Sequence, residues 1–236
     1  MILGANQPYF IPYIGYWQLI NAVDIFVFAD DYNFIKNGWI SRNRILVNGE
    51  PQYFNLSIQH ASQNKWINEL FLCDIPVEQK MKQLENAYRK APYYNDGMWL
   101  MEDILQVDEK NLAIFLEHSI KKICGYLDIC TKFMRSSQLE HNHELKREYR
   151  IYDMCKRLGA DTYYNAIGGQ QLYSHEEFQN QGIKLGFLKS NHVVYKQYGE
   201  EFIDNLSIID VIMFNSKKQI KKMLSEYTII GENNNV

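Results

Sequence analysis

The sequence lacks the features that mark an exported, membrane-spanning or disulfide-rich protein. Its 236 residues contain four cysteines and five prolines, and no two cysteines form a CxxC pair. The N-terminus shows no basic segment followed by an apolar one, and no apolar run approaches the roughly 18 residues of a membrane helix. We therefore expect a cytoplasmic protein without membrane insertion, in which Cys73, Cys124, Cys130 and Cys155 are buried, unpaired and reduced.

An excess of charge of one sign is also missing, as are the common catalytic motifs. The formal net charge of -3 argues against a nucleic-acid-binding protein. The chain has no Walker P-loop, GxSxG, HExxH or GxGxxG motif, and no His followed five residues later by Asp as in many CoA-dependent acyltransferases. It also has no internal repeat, which excludes the left-handed β-helix of many sugar N-acetyltransferases.

Aromatic residues are abundant, with 17 Tyr, 12 Phe and 4 Trp. Most such side chains form the core of a protein, but Tyr and Trp also line sugar and base pockets, because each combines a flat apolar face with a polar edge. The hydrophobic content of 46% and the charged content of 22% are typical of a globular protein. The length fits one large domain.

The N-terminal sixty residues predict a βαβ unit followed by a hairpin. A buried strand over 2–5, a helix over 14–22 and a second buried strand over 24–29 favour a parallel sheet. Two extended segments flank Gly49-Glu50-Pro51, which indicates a hairpin with its turn at these residues.

The middle of the chain is predicted to be helical. Pro76 suits a first helical turn, and one helix extends from there to the region before Pro92. Asp108 can cap a second helix, which Gly125 can end. We interpret residues 77–127 as a helical insertion.

The C-terminal part again alternates strands and helices. Strands are predicted over 131–135, 161–166 and 183–188. A helix is predicted over 144–158, and Gly159 should end it. Its buried side should consist of Leu145, Tyr149, Tyr152, Cys155 and Leu158. Further helices begin at Ser174 and Ser207, with Asp210 as the third residue of a capping box. The expected fold is α/β: a single domain over 1–230 with a mixed, largely parallel sheet flanked by helices, and a polar tail over 231–236.

Two adjacent carboxylates follow the second strand. Ligands of open α/β sheets bind beyond the carboxyl ends of the strands, so Asp30 and Asp31 are candidate catalytic residues. One of them could act as a base, or both could hold a divalent metal on a diphosphate. The alternative is an acid pair that caps the next turn.

A basic cluster comes soon afterwards, and it consists of Lys36, Trp39, Arg42, Asn43 and Arg44. The Arg fork grips phosphate or carboxylate, and Trp offers a stacking face. We therefore predict that these residues bind substrate, with the two arginines on one side of an extended segment. An exposed basic loop that neutralises the two aspartates is the alternative.

Other candidate substrate-binding residues also follow predicted strands. Gln7 and Tyr9 lie in the stiff aromatic loop after the first strand. Asn165, Gly168 and Gly169 follow a later strand, and adjacent glycines allow backbone N–H groups to approach a ligand. The remaining candidates are Ser136, Ser137 and Tyr173. A packed loop and a tight turn are the alternatives for the first two segments.

Several stretches resemble one known family. The opening QPYFIPYIGYWQLINAVDIFVFADDYNFIKNGWISRNRI, and the later CKRLGADTYYNAIGGQQLY, GIKLGFL and LSIIDVIMFN, are similar to the WbqC-like family. Residue 6 is Asn, where the family pattern often has His or Met, so Asn6 is given no role.

The resemblance implies a setting in bacterial O-antigen or related surface-polysaccharide (lipopolysaccharide) biosynthesis. The main hypothesis is an enzyme that transfers an acyl or aminoacyl group to the amine of a nucleotide-linked amino-deoxy-sugar. An acyl-CoA or an activated amino acid could be the donor. In this scheme the arginines hold the phosphates, Asp30 or Asp31 removes a proton, and the Gly168 and Gly169 amides stabilise an oxyanion.

Two alternatives remain open. A glycosyltransferase could use the aspartate pair to hold a metal on a sugar diphosphate. A non-catalytic sugar-binding subunit of an assembly complex would need only the binding residues. In each case the expected partner is a nucleotide-linked sugar, and no nucleic acid is expected.

Overall fold

A six-stranded sheet forms the centre of the computed structural model, which describes residues 1–146 and 148–231. Numbered along the chain, its strands lie in the order β10 (Tyr227–Ile230), β9 (Lys184–Ser190), β8 (Thr162–Ala166), β1 (Ile2–Asn6), β2 (Ile25–Phe28) and β7 (Lys132–Arg135). All neighbouring strands are parallel except the antiparallel pair of β10 and β9. The predicted α/β fold with a mixed, largely parallel sheet is confirmed. Residues 232–236 of the predicted tail lie outside the described residues.

Four further strands form two hairpins, β3 (Arg42–Val47) with β4 (Glu50–Asn55) and β5 (Ile58–Gln59) with β6 (Phe71–Leu72). The first turn consists of Asn48 and Gly49, whose φ angles of 53° and 81° suit a two-residue type I′ turn. The predicted turn at residues 49–51 was therefore displaced. Pro51 lies within β4 instead, because proline cannot adopt the positive φ that this turn requires.

Eight helices complete the described part of the chain: α1 (Ile14–Asn21), α2 (Val77–Tyr88), α3 (Tyr94–Leu105), α4 (Leu112–Leu127), α5 (Glu148–Leu158), α6 (His175–Asn180), α7 (Ile208–Phe214) and α8 (Lys217–Met223). Three of them occupy the predicted helical middle, where α3 had not been predicted. Within the described residues, no helix has the length and apolar character needed to cross a membrane.

Helix α4 begins and ends at other residues than predicted. Its cap is Asn111, whose side-chain oxygen accepts a hydrogen bond from the Ile114 N–H at 3.2 Å, rather than Asp108. The helix continues through Gly125 and ends at Asp128, which adopts a left-handed φ of 56°. Asp tolerates this conformation better than most residues, so a glycine is not needed at the terminus.

Helix α5 buries only part of the predicted stripe. Tyr152 and Cys155 are buried and Leu158 is partly buried, as predicted. Leu145 and Tyr149 are 39% and 59% exposed, because the helix starts only at Glu148 and its inner side is set by the stripe of Ile151, Met154 and Cys155. Gly159 ends this helix with a φ of 71°, as predicted.

Asp210 is fully buried and is not the third residue of a capping box. Its carboxylate accepts hydrogen bonds from the Tyr88 and Tyr195 hydroxyls at 2.9 and 2.7 Å and from Gln197 Nε2 at 2.9 Å. Ser207 does cap α7, since its hydroxyl accepts from the Ile209 N–H. Asp210 therefore joins α7 to α2 and to the segment before α7.

Hydrophobic cores cover both faces of the sheet. Phe26 and Phe28 of β2 pack in the larger core with α1, α4 and α7, whereas Val27 packs in the smaller core with α5 and α6. This alternation follows from the two-residue period of a strand. From β1 the chain proceeds to β2 on one side and later returns to β8 on the other, so the strand order reverses between β1 and β8.

All four cysteines are unpaired, as predicted. Cys124 and Cys155 are buried, and burial raises the pKa of both thiols. The expectation of burial is wrong for the other two, since Cys130 is exposed and Cys73 is half-buried.

Candidate functional site

A cavity of about 460 Å³ lies where the strand order reverses, at the carboxyl ends of β1 and β8. The strand ends contribute Ala5, Asn6, Gln7, Ala29, Asn165 and Ala166 to its wall. The reversal point of an open α/β sheet is where such proteins bind ligands, because the flanking crossover helices separate there. This position identifies the cavity as the candidate site.

Aromatic side chains form most of the remaining wall. They are Tyr9, Tyr13, Tyr16, Tyr32, Trp39, Tyr163 and Tyr173. Burial raises the pKa of Tyr32 to about 12, and burial also raises the pKa of Tyr9 and Tyr13. These phenols are therefore neutral hydrogen-bond donors at physiological pH. Among the described residues, no Asp, Glu, Lys, Arg, His or Cys lines this cavity.

Two asparagines at neighbouring strand ends have the same arrangement. The side-chain oxygens of Asn6 and Asn165 each accept a hydrogen bond from the N–H of the following residue, at 2.8 Å. Their oxygens are thus used locally, which leaves the amide nitrogens for other partners. A Cβ atom on Gly169 would lie 2.5 Å from the Asn165 nitrogen, so the absence of a side chain there allows the close approach.

A second cavity, of about 300 Å³, adjoins the first. Both are lined by Tyr9, Tyr13 and Trp39, and the second is also lined by Asn43, Arg44 and Asn205. Arg44 Nη2 donates to the Asp204 and Asn205 carbonyls at 3.3 and 3.2 Å, and the guanidinium lies 5.9 Å from the Trp39 ring centre. The second cavity thus has a cation, whereas the first has none.

Arg42 and Asn43 have different surroundings from Arg44. The Arg42 guanidinium donates to the Asn37 carbonyl and lies 4.2 Å from the Tyr53 ring centre, and it lines neither cavity. Asn43 is buried while both arginines are half-exposed, as alternation along β3 requires. The two arginines therefore share a side of the strand but not a cavity.

The loop between β1 and α1 is held in place by distant residues. Ile11 is buried and has a φ of 42°, a conformation that β-branched residues rarely adopt. Its carbonyl accepts hydrogen bonds from Asn43 Nδ2 at 3.0 Å and from the Ser207 hydroxyl at 2.9 Å. These bonds hold the loop that carries Tyr9 and Tyr13.

Asp30 and Asp31 are buried beside the cavity rather than within its wall. Asp30 accepts from the Ser137 N–H and hydroxyl at 2.9 and 2.7 Å, and Asp31 accepts from the Ser136 hydroxyl. Burial raises the pKa of Asp30 above the ordinary value for aspartate. The pair joins the end of β2 to the residues that follow β7.

Arg150 neutralises Asp31 from α5. Its Nη2 atom lies 2.6 Å from Asp31 Oδ1, and both side chains are at most 7% exposed. Nε donates to Asn142 Oδ1 at 3.0 Å, and the guanidinium lies 4.1 Å from the ring centre of Tyr32, which lines the cavity. The ion pair thus supports the cavity wall from behind.

The structure separates the residues predicted from the sequence into three groups. The first cavity contains Gln7, Tyr9, Trp39, Asn165, Gly168, Gly169 and Tyr173. The second contains Asn43 and Arg44, with Tyr9 and Trp39 shared. Neither cavity is lined by Asp30, Asp31, Lys36, Arg42, Ser136 or Ser137. Within the described residues, no cluster of three or more His, Cys, Asp or Glu side chains could hold a metal.

Sequence reasoning missed Tyr13, Tyr32, Tyr163 and Asn6 in the wall and Arg150 behind it. Asn6 and Asn165 end adjacent strands, and this shared position was a usable signal. Arg150 lies in the middle of a helix, where nothing in the sequence distinguishes it from a solvated arginine.

The chain is thus an open α/β protein with a cavity, the candidate ligand site, where the strand order of its sheet reverses. The WbqC-like protein family matches residues 7–222, and the chain belongs to this family. It is also similar to the uncharacterized protein Rv1507c of Mycobacterium tuberculosis, with 26% identity over 215 residues that cover 89% of this chain and 91% of the relative. No solved structure matches the chain.

Proposed function

We propose that the protein binds a nucleotide-linked amino-deoxy-sugar in the two adjoining cavities and transfers an acyl or aminoacyl group to its amine. The observation that carries this proposal is the division of the site. An uncharged wall of phenols and amides surrounds the first cavity, and Arg44 lies in the second. A nucleotide sugar has the same division, since its glycosyl part is polar and uncharged apart from the amine, while its diphosphate is anionic.

In this proposal the glycosyl part occupies the first cavity. Tyr9 and Trp39 provide stacking faces, and the amide groups of Gln7 and Asn165 bind sugar hydroxyls. Arg44 binds a phosphate oxygen in the second cavity, for which its planar fork is suited. Both volumes lie near or within the roughly 300–1,000 Å³ typical of small-molecule sites.

The acyl transfer step needs a nucleophile, which the substrate amine supplies, and donors for the oxyanion. Gly168 and Gly169 stand at the first turn of a 3₁₀ helix beside Asn165, and their N–H groups together with the Asn165 amide are the proposed donors. An acyl-CoA or an activated amino acid is the proposed acyl donor. Asp30 and Asp31 act in this proposal as supports of the wall rather than as the base.

One specific observation favours a second candidate, a non-catalytic sugar-binding subunit. The described lining of the first cavity contains no carboxylate, imidazole or thiol, and pure binding requires none. Glycosyl transfer with a metal on the aspartate pair has less support, because both carboxylates bind Ser136, Ser137 and Arg150 instead of facing a cavity.

Calorimetric titration with UDP- and dTDP-linked amino-deoxy-sugars tests the proposal. We expect binding of at least one of them without added manganese, and weaker binding of the free nucleotide and of the free sugar. A Trp39→Ala variant should bind less tightly, while Trp99→Ala, which removes a tryptophan on α3, should bind like the parent. If no nucleotide sugar binds, the proposal is wrong.

A product assay separates the two candidates. The protein that binds the sugar is incubated with acyl-CoA and aminoacyl donors, and N-acylated product is sought by mass spectrometry. A mass increase equal to the acyl group supports the transferase. Binding without any product over the whole donor set supports the binding subunit.

A further inference from the structure

We infer that the first cavity accepts the sugar's amino group as the neutral amine, so that the ammonium loses its proton to solvent on entry and no side chain acts as its base. This inference rests on the proposed function, and it specifies the form of the substrate that the same site selects.

The described wall of the first cavity is polar but uncharged. Its hydrogen-bonding side chains are tyrosines and amides, and among the described residues it carries no charged side chain. An ammonium group in such a site would lose its hydration without gaining a counter-ion. Burial of this kind disfavours the charged form and lowers the pKa of an amine.

The tyrosines of the wall cannot supply a negative charge that would pair with an ammonium group. Burial raises the pKa of Tyr9, Tyr13 and Tyr173, and it raises that of Tyr32 to about 12. Their hydroxyls are therefore protonated near neutral pH. The hydroxyls of Tyr9, Tyr13 and Tyr32 also have no hydrogen-bond partner within the described residues. A neutral phenol can donate to the lone pair of an amine, which an ammonium does not have.

The charged groups around the first cavity already have partners or lie outside its lining. Asp31 and Arg150 lie behind Tyr32 and form an ion pair, in which Arg150 Nη2 lies 2.6 Å from Asp31 Oδ1. Asp30 is held by three hydrogen bonds from Ser136 and Ser137. Glu148 of α5 acts on Tyr173 only from outside the lining, and Arg44 in the second cavity repels an ammonium. Among the residues that the structure describes, no carboxylate lines either cavity, so none is placed to pair with the substrate's cation.

The proton balance of the step is simple. The ammonium in solution dissociates to the amine and a proton, the buffer takes up the proton, and the amine enters the cavity with its lone pair free. The neutral amine is also the nucleophile that acyl transfer requires. Its nitrogen bonds to the acyl carbon, the bond from that carbon to the leaving group (the thiolate of an acyl-CoA) breaks, and the leaving group takes the proton that the nitrogen loses. Selection of this form thus provides the reactive species without a general base.

Calorimetry with the intact protein tests the inference. An amino-sugar nucleotide that binds is titrated at several pH values in buffers of different ionisation enthalpy. Well below the pKa of the sugar amine we expect release of about one proton per bound ligand, and an affinity that rises about tenfold per pH unit, because only the neutral fraction binds. Above that pKa the affinity should become constant.

The matched control is the nucleotide sugar that carries a hydroxyl in place of the amine, since its phosphates titrate in the same way. It should release no proton apart from any that its phosphates release, and its affinity should be the same at every pH tested. If the amino ligand and the control both bind but the amino ligand releases no proton, the inference is wrong and the proposed function remains intact. Binding of neither ligand refutes the proposed function and the inference together.

Discussion

At the carboxyl ends of the strands, polar side chains line an open cavity on one side of the sheet and are buried and paired on the other. On the β1 and β8 side, neutral phenols and amides surround an open cavity. On the β2 and β7 side, Asp30, Asp31 and Arg150 are buried against each other and against serines, and they line neither of the two cavities. Both sets of residues follow the carboxyl ends of parallel strands.

The difference teaches that a position at the carboxyl end of a strand does not by itself place a side chain in a ligand site. Burial of an unpaired charge is costly, so charged groups at this edge gain partners from neighbouring elements and become part of the structure. Neutral donors can remain unpaired toward a cavity at lower cost. The first cavity is thus lined by neutral side chains and not by the charged ones.

The largest expected effect is on stability, from loss of the buried ion pair. Arg150→Met should lower the free energy of unfolding by about 3–5 kcal/mol, because it leaves Asp31 buried without its cation. Urea denaturation measures the change. Arg157→Met is the matched control on the same helix. Its partner is Asp153 at 2.8 Å, its side chain is 40% exposed, and its loss should cost about 0–1 kcal/mol. Equal costs for both variants would contradict the structural role of Arg150.

The second expected effect is on ligand binding and separates the two arginines of β3. Arg44→Ala should weaken binding of a nucleotide sugar by about 1.5–3 kcal/mol, the value of a hydrogen bond to a charged group. Arg42→Ala should change binding little, because Arg42 lines neither cavity. Titration of the two variants measures the contrast. If Arg42→Ala has the larger effect, phosphate binding lies outside the second cavity.

The third expected effect concerns a buried carboxylate that has only neutral donors. Burial raises the pKa of Asp210, so the folded state binds its proton more tightly than the unfolded state does. As the pH rises from the ordinary aspartate pKa through the raised one, the parent should lose stability relative to Asp210→Asn, by at most about 1.4 kcal/mol per pH unit. Urea denaturation of both proteins from acidic to neutral pH measures the difference. A difference that is constant with pH would show that Asp210 keeps its ordinary pKa.

The smallest expected effect compares two adjacent glycines. Gly169→Ala places a methyl group 2.5 Å from the Asn165 nitrogen, so the Asn165 side chain must turn and lose its hydrogen bond from the Ala166 N–H. This loss should cost about 0.5–1.5 kcal/mol of stability. Gly168→Ala meets no atom within 4 Å and should not be destabilising. The difference in urea midpoints measures the effect, and equal midpoints would show that Asn165 is not held as described.

Much of the fold could be predicted from local patterns. The β1–α1–β2 unit follows from its alternation of apolar runs, and Gly159 marks the end of α5 because a left-handed residue is needed there. The end of α4 could not be predicted, since Asp128 rather than Gly125 adopts the left-handed conformation. The exposure of Tyr149 could not be predicted either, because it depends on where α5 begins, and this is decided by packing against the rest of the fold.

The sequence predicts the location of the candidate site at the carboxyl ends of the strands, but not the direction in which each side chain points. Asn165 at the carboxyl end of β8 and Tyr9 after β1 line the first cavity, as expected from their positions, whereas Asp30 and Asp31 follow β2 and turn toward β7. Their direction depends on Ser136 and Arg150, which are more than 100 residues away in sequence. No local pattern carries that information.

The Ile11 carbonyl has a consequence for the order of folding. Its partners Asn43 and Ser207 are 32 and 196 residues away in sequence. The left-handed conformation of Ile11 costs about 1–2 kcal/mol, and these two hydrogen bonds and the burial of its side chain help to offset it. Contacts between distant residues form slowly, because the chain must first close a long loop. A nascent chain without α7 can therefore form the bonds from Asn43 and Trp17 to the loop that carries Tyr9 and Tyr13, but the bond from Ser207 forms only after synthesis reaches that residue.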